Sequence, residues 1–547
     1  MKTLTSILTF LFILSGIIYS QPTKENKLVV AVVVDQMRYD YLQKFYPLYG
    51  DGGFKRLMKD GFNCTNVHYN YVPTYTGPGH TSIFTGTTPM MHGIIGNYYY
   101  DKATDKVLYC AEDQFVQSVG GSHKAGLFSP KNLTVTTVGD ELRISNGFRS
   151  KVIGVALKDR GAILSTGRAA NAAYWFDDST GNWITSSFYL TSLPDWAQVY
   201  NDQKAVNSFL DSTWTLLYPE SAYSMCGPDD MKFEEKLKGT TASVFPYYLS
   251  EIRKASTDFS LIKFTPYGNT ITTDFAISAI KGEFLGQNEF TDMIVISYST
   301  PDYIGHFFGP QSYELADNYA RLDREIQRLL EFLDQRFGKN YTFMITSDHG
   351  VAEIPNYLLQ QGIEGGNFTS NEVVSHCNSV LNDVLFKSSN PDNGLVKIFI
   401  NDHIYFDDQK IADNNLKKED VIVATKKALL AHPSVFDVLT PAELLYFSNP
   451  GDPIKHRYYM GYHRTKGGDL LVMSKPGWIN RNPVGTTHGA PYVYDTHAPL
   501  LWYGYGITKG RTAEFYSITD IAPTISNILG ITQPNATTGR VIDDLFD

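Results

Sequence analysis

Four runs of apolar residues, each closed by polar ones, punctuate the chain. LVVAVVVD (28–35), KVIGVALKD (151–159), MIVISYSTPD (293–302) and YTFMITSDHG (341–350) are rich in Val and Ile. They lack the strict alternation of a half-solvated strand, so they predict strands buried on both faces. Elsewhere the period changes. In YELADNYARLDREIQRLLEFLDQR, Leu315, Tyr319, Leu322, Ile326, Leu329 and Leu333 recur at steps of three and four, the stripe of an amphipathic helix. TDIAPTISNILGI opens on a Thr-Asp start signal and closes on glycine, again a helix. Strands alternating with helices predict an α/β fold with a central, largely parallel sheet flanked by helices on both faces.

Two long intervals, about 159–290 and 351–487, break that rhythm. AAYWFDDSTGNWITSSFY (172–189) reads as two aromatic strands around the turn DDSTGN. Both intervals are expected to be cap insertions covering a site, within one catalytic domain spanning 21–547. At the N-terminus, MKTLTSILTFLFILSGIIYSQ carries one lysine, an apolar stretch from Ile7 to Ile18 and a small residue at Ser20. This predicts a signal peptide over 1–20, cut before Gln21, and a periplasmic or secreted mature protein. The stretch is too short for a comfortable membrane span, and no later segment has about 20 uninterrupted apolar residues. Stable membrane insertion is therefore not expected.

Composition narrows the class. With 547 residues, 43% hydrophobic and 19% charged, the chain has the proportions of a globular protein. A formal charge of −10 leaves no basic footprint for nucleic acid, and no nucleic-acid binding is expected. Cys64, Cys110, Cys226 and Cys377 permit two disulfides or inert buried thiols. None forms a C-x-x-C pair that would suggest a cysteine zinc site.

The candidate chemistry lies where the strands end. Asp35, Asp302 and Asp348 follow three of the apolar runs, and the carboxyl ends of strands form the ligand crevice of an open α/β sheet. Three carboxylates converging there would repel one another without a cation between them. His306 stands four residues after Asp302, His349 directly follows Asp348, and VGTTHG supplies His488. Three oxygen and three nitrogen donors suit two zinc ions better than calcium or magnesium. A further stretch, YVPTYTGPGHTSIFTG (71–86), sets Thr74, Thr76, Thr81 and Thr85 among turn residues. TSIFTG, after GPGH, is expected to start a helix. In LKDRG, an extended backbone would turn Lys158 and Arg160 to one side and Asp159 to the other.

The ordered set VVVDQMRYDYL, YVPTYTGPGHTSIFTG, HGIIGN, KDRG, STPDYIGH, TSDHG and GTTHG resembles the alkaline phosphatase superfamily. It is most similar to the periplasmic PafA-type alkaline phosphatases, from about Lys27 to the C-terminus. The resemblance implies an exported enzyme with two Zn2+ per chain. Asp302, His306 and His488 would hold one ion, and Asp35, Asp348 and His349 the other. Thr76 would be the nucleophile, its oxygen completing the coordination of the second ion, with Thr74, Thr81 and Thr85 as bystanders. Zinc can lower the pKa of a bound oxygen acid by many units, which an alcohol nucleophile needs at neutral pH. His80 and His92 would be structural. His497, in YDTHAPL, rivals His488, whose glycine-flanked loop is the better match. Asn97, Lys158 and Arg160 would hold the non-bridging oxygens of small phosphate monoesters, processed through a phosphothreonine at Thr76.

Charge separates substrate classes. Two zinc ions balance three aspartates and one alkoxide, so Lys158 and Arg160 leave two positive charges, which complement a monoester dianion better than a diester. A phosphodiesterase or nucleotide pyrophosphatase on the same two-metal core is the alternative. A sulfatase is disfavoured by the lack of a C-x-P-x-R or S-x-P-x-R signature. From another class, a non-catalytic secreted glycan-binding protein would suit the aromatic content and N-x-T sites such as Asn132 and Asn367.

Overall fold

The computed structural model describes residues 26–386 and 394–546. The expected signal peptide, residues 1–20, lies outside the described residues. Eight strands make up most of the central sheet: β1 (Leu28–Val34), β2 (Phe62–His68), β3 (Val152–Ala156), β4 (Ala172–Asp177), β5 (Asn182–Ser186), β6 (Asp292–Tyr298), β7 (Tyr341–Thr346) and β8 (His497–Gly504). Their spatial order is β2-β8-β7-β1-β6-β3-β4-β5, with short strands at the edges. The five inner strands β7, β1, β6, β3 and β4 run parallel, and β8, β2 and β5 join antiparallel.

The inner strands have no solvated face, so continuous apolar runs are what they require. Alternate residues of β1 serve two cores. Val30, Val32 and Val34 pack with Ile153, Ile294, Ile345 and the stripe Leu322, Ile326 and Leu329. Val29, Ala31 and Val33 pack with Met293, Met344, Ile83, Phe84 and Ile525. Helices therefore cover both faces, as the period-two geometry of a strand demands.

Four helices bear on the site: α1 (Thr76–Thr85), α2 (Asp159–Thr166), α3 (Thr300–Phe308) and α4 (Tyr313–Phe337). The amphipathic stripe is α4, whose Ser312 hydroxyl caps it by accepting from Leu315 N–H. Two expectations need correction. α1 starts at Thr76, not after GPGH. Pro78 fits there because the first turn's N–H groups have no intrahelical acceptor to lose. α2 starts at Asp159, so only Lys158 keeps an extended conformation, with φ −86° and ψ 125°. The two-residue alternation drawn for LKDRG therefore does not hold.

The aromatic hairpin at 172–189 also differs from a covering cap. β4 pairs parallel with β3, and β5 pairs antiparallel with β4, so the hairpin extends the central sheet. All six β4 residues are buried, which explains its apolar sequence. The interval 351–487 contains a separate four-stranded antiparallel sheet built from Val396–Ile400, His403–Phe406, Leu470–Ser474 and Val435–Leu439. It has its own cluster of apolar residues, including Phe399, Ile404, Val438 and Val472. All four cysteines are free, and burial pushes each thiol up to about 12. Among the described residues, no helix is long and apolar enough to cross a membrane.

Candidate functional site

Four neighbouring parallel strands, in the order β7-β1-β6-β3, deliver side chains to one edge. Asp35 directly follows β1, and its N–H donates to Tyr298 O at 3.0 Å. Asp348 and His349 follow β7, Lys158 follows β3, and Asp302 and His306 sit on α3 after β6. Asp302 and His306 are four apart on one helix and so share a face. Asp35, Asp302, Asp348, His349 and Thr76 are all at most 3% exposed.

The three candidate histidines share one arrangement. His306 Nδ1 lies 2.7 Å from Thr486 O, His349 Nδ1 2.9 Å from Gly350 O, and His488 Nδ1 2.7 Å from Thr74 O. A carbonyl can only accept, so each Nδ1 carries a proton, and in a neutral ring the lone pair is then left on Nε2. All three Nε2 atoms face the carboxylates. His306 Nε2 is 3.1 Å and His488 Nε2 3.5 Å from Asp302 Oδ1. His349 Nε2 is 3.5 Å from Asp35 Oδ1 and 3.4 Å from Asp348 Oδ2. Burial lowers His488 to about 4 and His349 well below its ordinary value, so both rings are neutral.

Two compact donor groups result: Asp35, Asp348 and His349, and Asp302, His349 and His488. The first matches the expected set. In the second, His349 stands where His306 was expected, because the His349 and His488 rings stack with centroids 3.5 Å apart. His306 remains beside Asp302. His497 is remote from this cluster: its ring stacks between Tyr39 and His68, and its Nε2 faces Thr65 O at 3.0 Å.

The electrostatics call for positive charge. Burial, and then repulsion from Asp302 and Asp348, pushes the Asp35 carboxyl well up. Burial is also the main cause that raises Asp348, to about 7. For Asp302, burial is outweighed by His306 and Lys158, which hold it well below its usual value. Asp35 Oδ1 and Asp348 Oδ2 are buried without a hydrogen-bond partner, which is costly for a carboxylate. Carboxylate oxygens and neutral imidazole nitrogens at these separations fit zinc.

Thr76 occupies the first position of α1, its Oγ1 3.5 Å from His349 Nε2 and 3.5 Å from Lys158 Nζ. The other three threonines bond backbone carbonyls: Thr74 to Ala490, Thr81 to Gly77 and Thr85 to Thr81. Glycine is required nearby, since a Cβ on Gly79 would lie 2.3 Å from Asp348 O. His80 bridges Thr76 O and Ser297 Oγ, each at 2.9 Å, and His92 Nε2 lies 3.0 Å from Ser82 Oγ. Asn97 Oδ1 accepts from Gly77 N–H at 2.8 Å.

Lys158 and Arg160 have different partners. Lys158 Nζ contacts Asp35 Oδ2 at 2.6 Å and Asp302 Oδ2 at 2.5 Å. Arg160 Nη1 donates to Tyr109 OH at 3.2 Å, and that hydroxyl donates to Asp159 Oδ1 at 2.7 Å. Asp159 is thus tied to the arginine rather than turned away. Gln36 and Tyr109 escaped the sequence reading. Gln36, with a left-handed φ of 65°, donates its backbone N–H to Asp348 Oδ1 and its amide to Asp302 Oδ1. Its place beside Asp35 was the only available signal.

A family model described as type I phosphodiesterase / nucleotide pyrophosphatase matches residues 29–498. Alkaline phosphatase PafA of Elizabethkingia meningoseptica is 39% identical, covering 98% of this chain and 97% of its own. Alkaline phosphatase PhoV of Synechococcus elongatus is also 39% identical, covering 97% and 94%. A Myroides odoratus protein named a calcium-transporting ATPase is 40% identical, covering 97% of each chain. The crystal structure of PafA superimposes with a TM-score of 0.91 at 39% identity, over 96% of this chain and 99% of that one. A PafA variant with a threonine, an asparagine, a lysine and an arginine replaced superimposes with a TM-score of 0.90 at 39% identity, over the same shares of both chains.

Proposed function

Because the chain belongs to the type I phosphodiesterase / nucleotide pyrophosphatase family of the alkaline phosphatase superfamily and is a phosphoric monoester hydrolase, we propose that it is an exported, zinc-dependent alkaline phosphatase working through Thr76. The observation that carries this reading is the convergence of Thr76 with three carboxylates and three imidazole nitrogens at the end of four adjacent strands. Asp35, Asp348, His349 and Thr76 would hold one zinc ion, and Asp302, His306 and His488 the other. When bound, zinc supplies Lewis acidity that favours ionised oxygen on nucleophile and leaving group.

Thr76 Oγ attacks phosphorus, and the ester bond to the leaving alkoxide breaks. Threonine then carries the phosphoryl group until water displaces it. The first turn of α1 presents backbone N–H groups where the anionic group is transferred. With its carbonyl held by Gly77, the Asn97 side chain keeps an NH2 to donate to a non-bridging oxygen. Lys158, already 3.5 Å from the Thr76 hydroxyl, and Arg160 provide the charge for the other oxygens. The residue types replaced together in the PafA variant are in keeping with this set.

The surplus of two positive charges favours small monoester dianions over diesters. The family description keeps a diesterase as the second reading. Comparing kcat/KM for an aryl phosphate and a bis-aryl phosphate, with metal content measured alongside, decides between them. A preference for the diester defeats the monoesterase reading, and a protein that takes up no zinc defeats the metal assignment. Export is tested by the N-terminus of the mature protein, expected at Gln21.

A further inference from the structure

The small antiparallel sheet reaches into the site. The hairpin between strands Val396–Ile400 and His403–Phe406 turns on Asn401 and Asp402, with φ of 53° and 63°. Two consecutive left-handed residues make the tight hairpin turn, and Asn and Asp are the side-chain-bearing residues that best tolerate it. Such a tip ordinarily faces water, but this one faces the turn that carries Asn97. Asn401 Nδ2 donates to Tyr98 O at 2.7 Å. A Cβ on Gly96 would lie only 2.4 Å from that same nitrogen. The Asn401 amide therefore presses on the residue before Asn97 and bonds the residue after it.

Other contacts complete the clamp. The backbone carbonyl of Asn97 accepts from Cys110 N–H at 2.9 Å, and its side-chain Oδ1 from Gly77 N–H at 2.8 Å. From the small sheet's side, Lys466 Nζ donates to Gly93 O at 2.5 Å and lies 4.6 Å above the Tyr99 ring. Oδ1 alone fixes one end of the Asn97 amide. Where its NH2 points depends on the backbone from Gly96 to Tyr98, and Asn401 holds both flanks of that backbone.

We propose that Asn401 is a positioning residue that keeps the Asn97 amide aimed at the phosphoryl group. The inference rests on the role given to Asn97 above. It predicts that a residue some 300 positions away in sequence acts on phosphate binding only through Asn97. The same geometry explains why residue 96 has no side chain: any Cβ would displace the clamp.

A double-mutant cycle tests this. Asn97→Ala, Asn401→Gly and the pair are assayed for kcat/KM on an aryl phosphate, for inhibition by inorganic phosphate, and for thermal melting. Glycine keeps the left-handed turn and removes the donor. Asn401→Gly should lower kcat/KM about tenfold and weaken phosphate inhibition to a similar degree, yet change either by less than about twofold once Asn97 is alanine. Equal losses in both backgrounds, or no loss from Asn401→Gly alone, overturn the positioning role while leaving Asn97 in the site. No loss from Asn97→Ala removes Asn97 from the site, and the inference falls with it. If the glycine variant does not fold, Asn401→Asp takes its place in the cycle, since it tolerates the turn but offers Tyr98 O no N–H, and the same outcomes decide.

Discussion

The Lys158 ammonium stands 3.5 Å from the Thr76 hydroxyl oxygen. One cation therefore faces both the proposed nucleophile and the carboxylates Asp35 and Asp302. Removing either partner should have a distinct signature. Thr76→Ala should abolish turnover, by roughly a thousandfold or more, and abolish labelling of the protein by radioactive phosphate. Zinc content should persist, because three carboxylates and three imidazoles remain. Labelling that survives at another residue would contradict the assignment.

Lys158→Ala combined with Arg160→Ala should cut kcat/KM for monoesters by on the order of a hundredfold. Diester turnover should fall by less than about tenfold, since a diester presents one negative charge fewer. Steady-state kinetics on an aryl phosphate and a bis-aryl phosphate read this directly. Equal losses would contradict the charge argument.

Stripping the protein with a chelator should abolish activity and lower its melting temperature. Asp35 Oδ1 and Asp348 Oδ2 lie buried without hydrogen-bond partners, and cation binding to the folded state alone stabilises it. Zinc should restore both quantities at about two ions per chain, as read by elemental analysis during titration.

A second acidic cluster should limit stability at alkaline pH. Glu234 and Glu314 are 3% and 0% exposed. Both Glu234 carboxylate oxygens and Glu314 Oε2 lack hydrogen-bond partners. Burial raises Glu234, with repulsion from Glu314 adding to it. Burial also raises Glu314 despite the hydrogen bond from Tyr247. Carboxyls raised on folding contribute stability that is fully present below the unfolded value, 4.5, and lost as pH climbs through the folded values. Glu234→Gln with Glu314→Gln should therefore melt higher than the parent at about pH 9 and converge with it near about pH 4. Melting curves that differ equally at both ends would exclude this origin.

The strands were legible because burial on both faces leaves an unmistakable apolar run, and with them came the positions of Asp35, Asp302 and Asp348. Other features were not, for reasons specific to each. GPGH looks like a loop, yet Gly77, Pro78, Gly79 and His80 all belong to α1, since a helix's first turn tolerates proline. Alternation assigned Lys158 and Arg160 to one side, but a helix starting at Asp159 changed the angular step between them. Gln36 matters only because neighbouring strands bring Asp302 and Asp348 to it. Asn401 belongs to a separate sheet whose placement no local pattern encodes.

The seam at Gly79 sets a distance within the cluster. There α1 and the loop after β7 touch main chain to main chain, with Asp348 O occupying the space a methyl group would need. The spacing between the start of α1 and Asp348 is a fixed gauge with no adjustable shim. A side chain at residue 79 would have to push the helix that carries Thr76 off the Asp348 main chain, so the spacing of the whole cluster hangs on one missing methyl group.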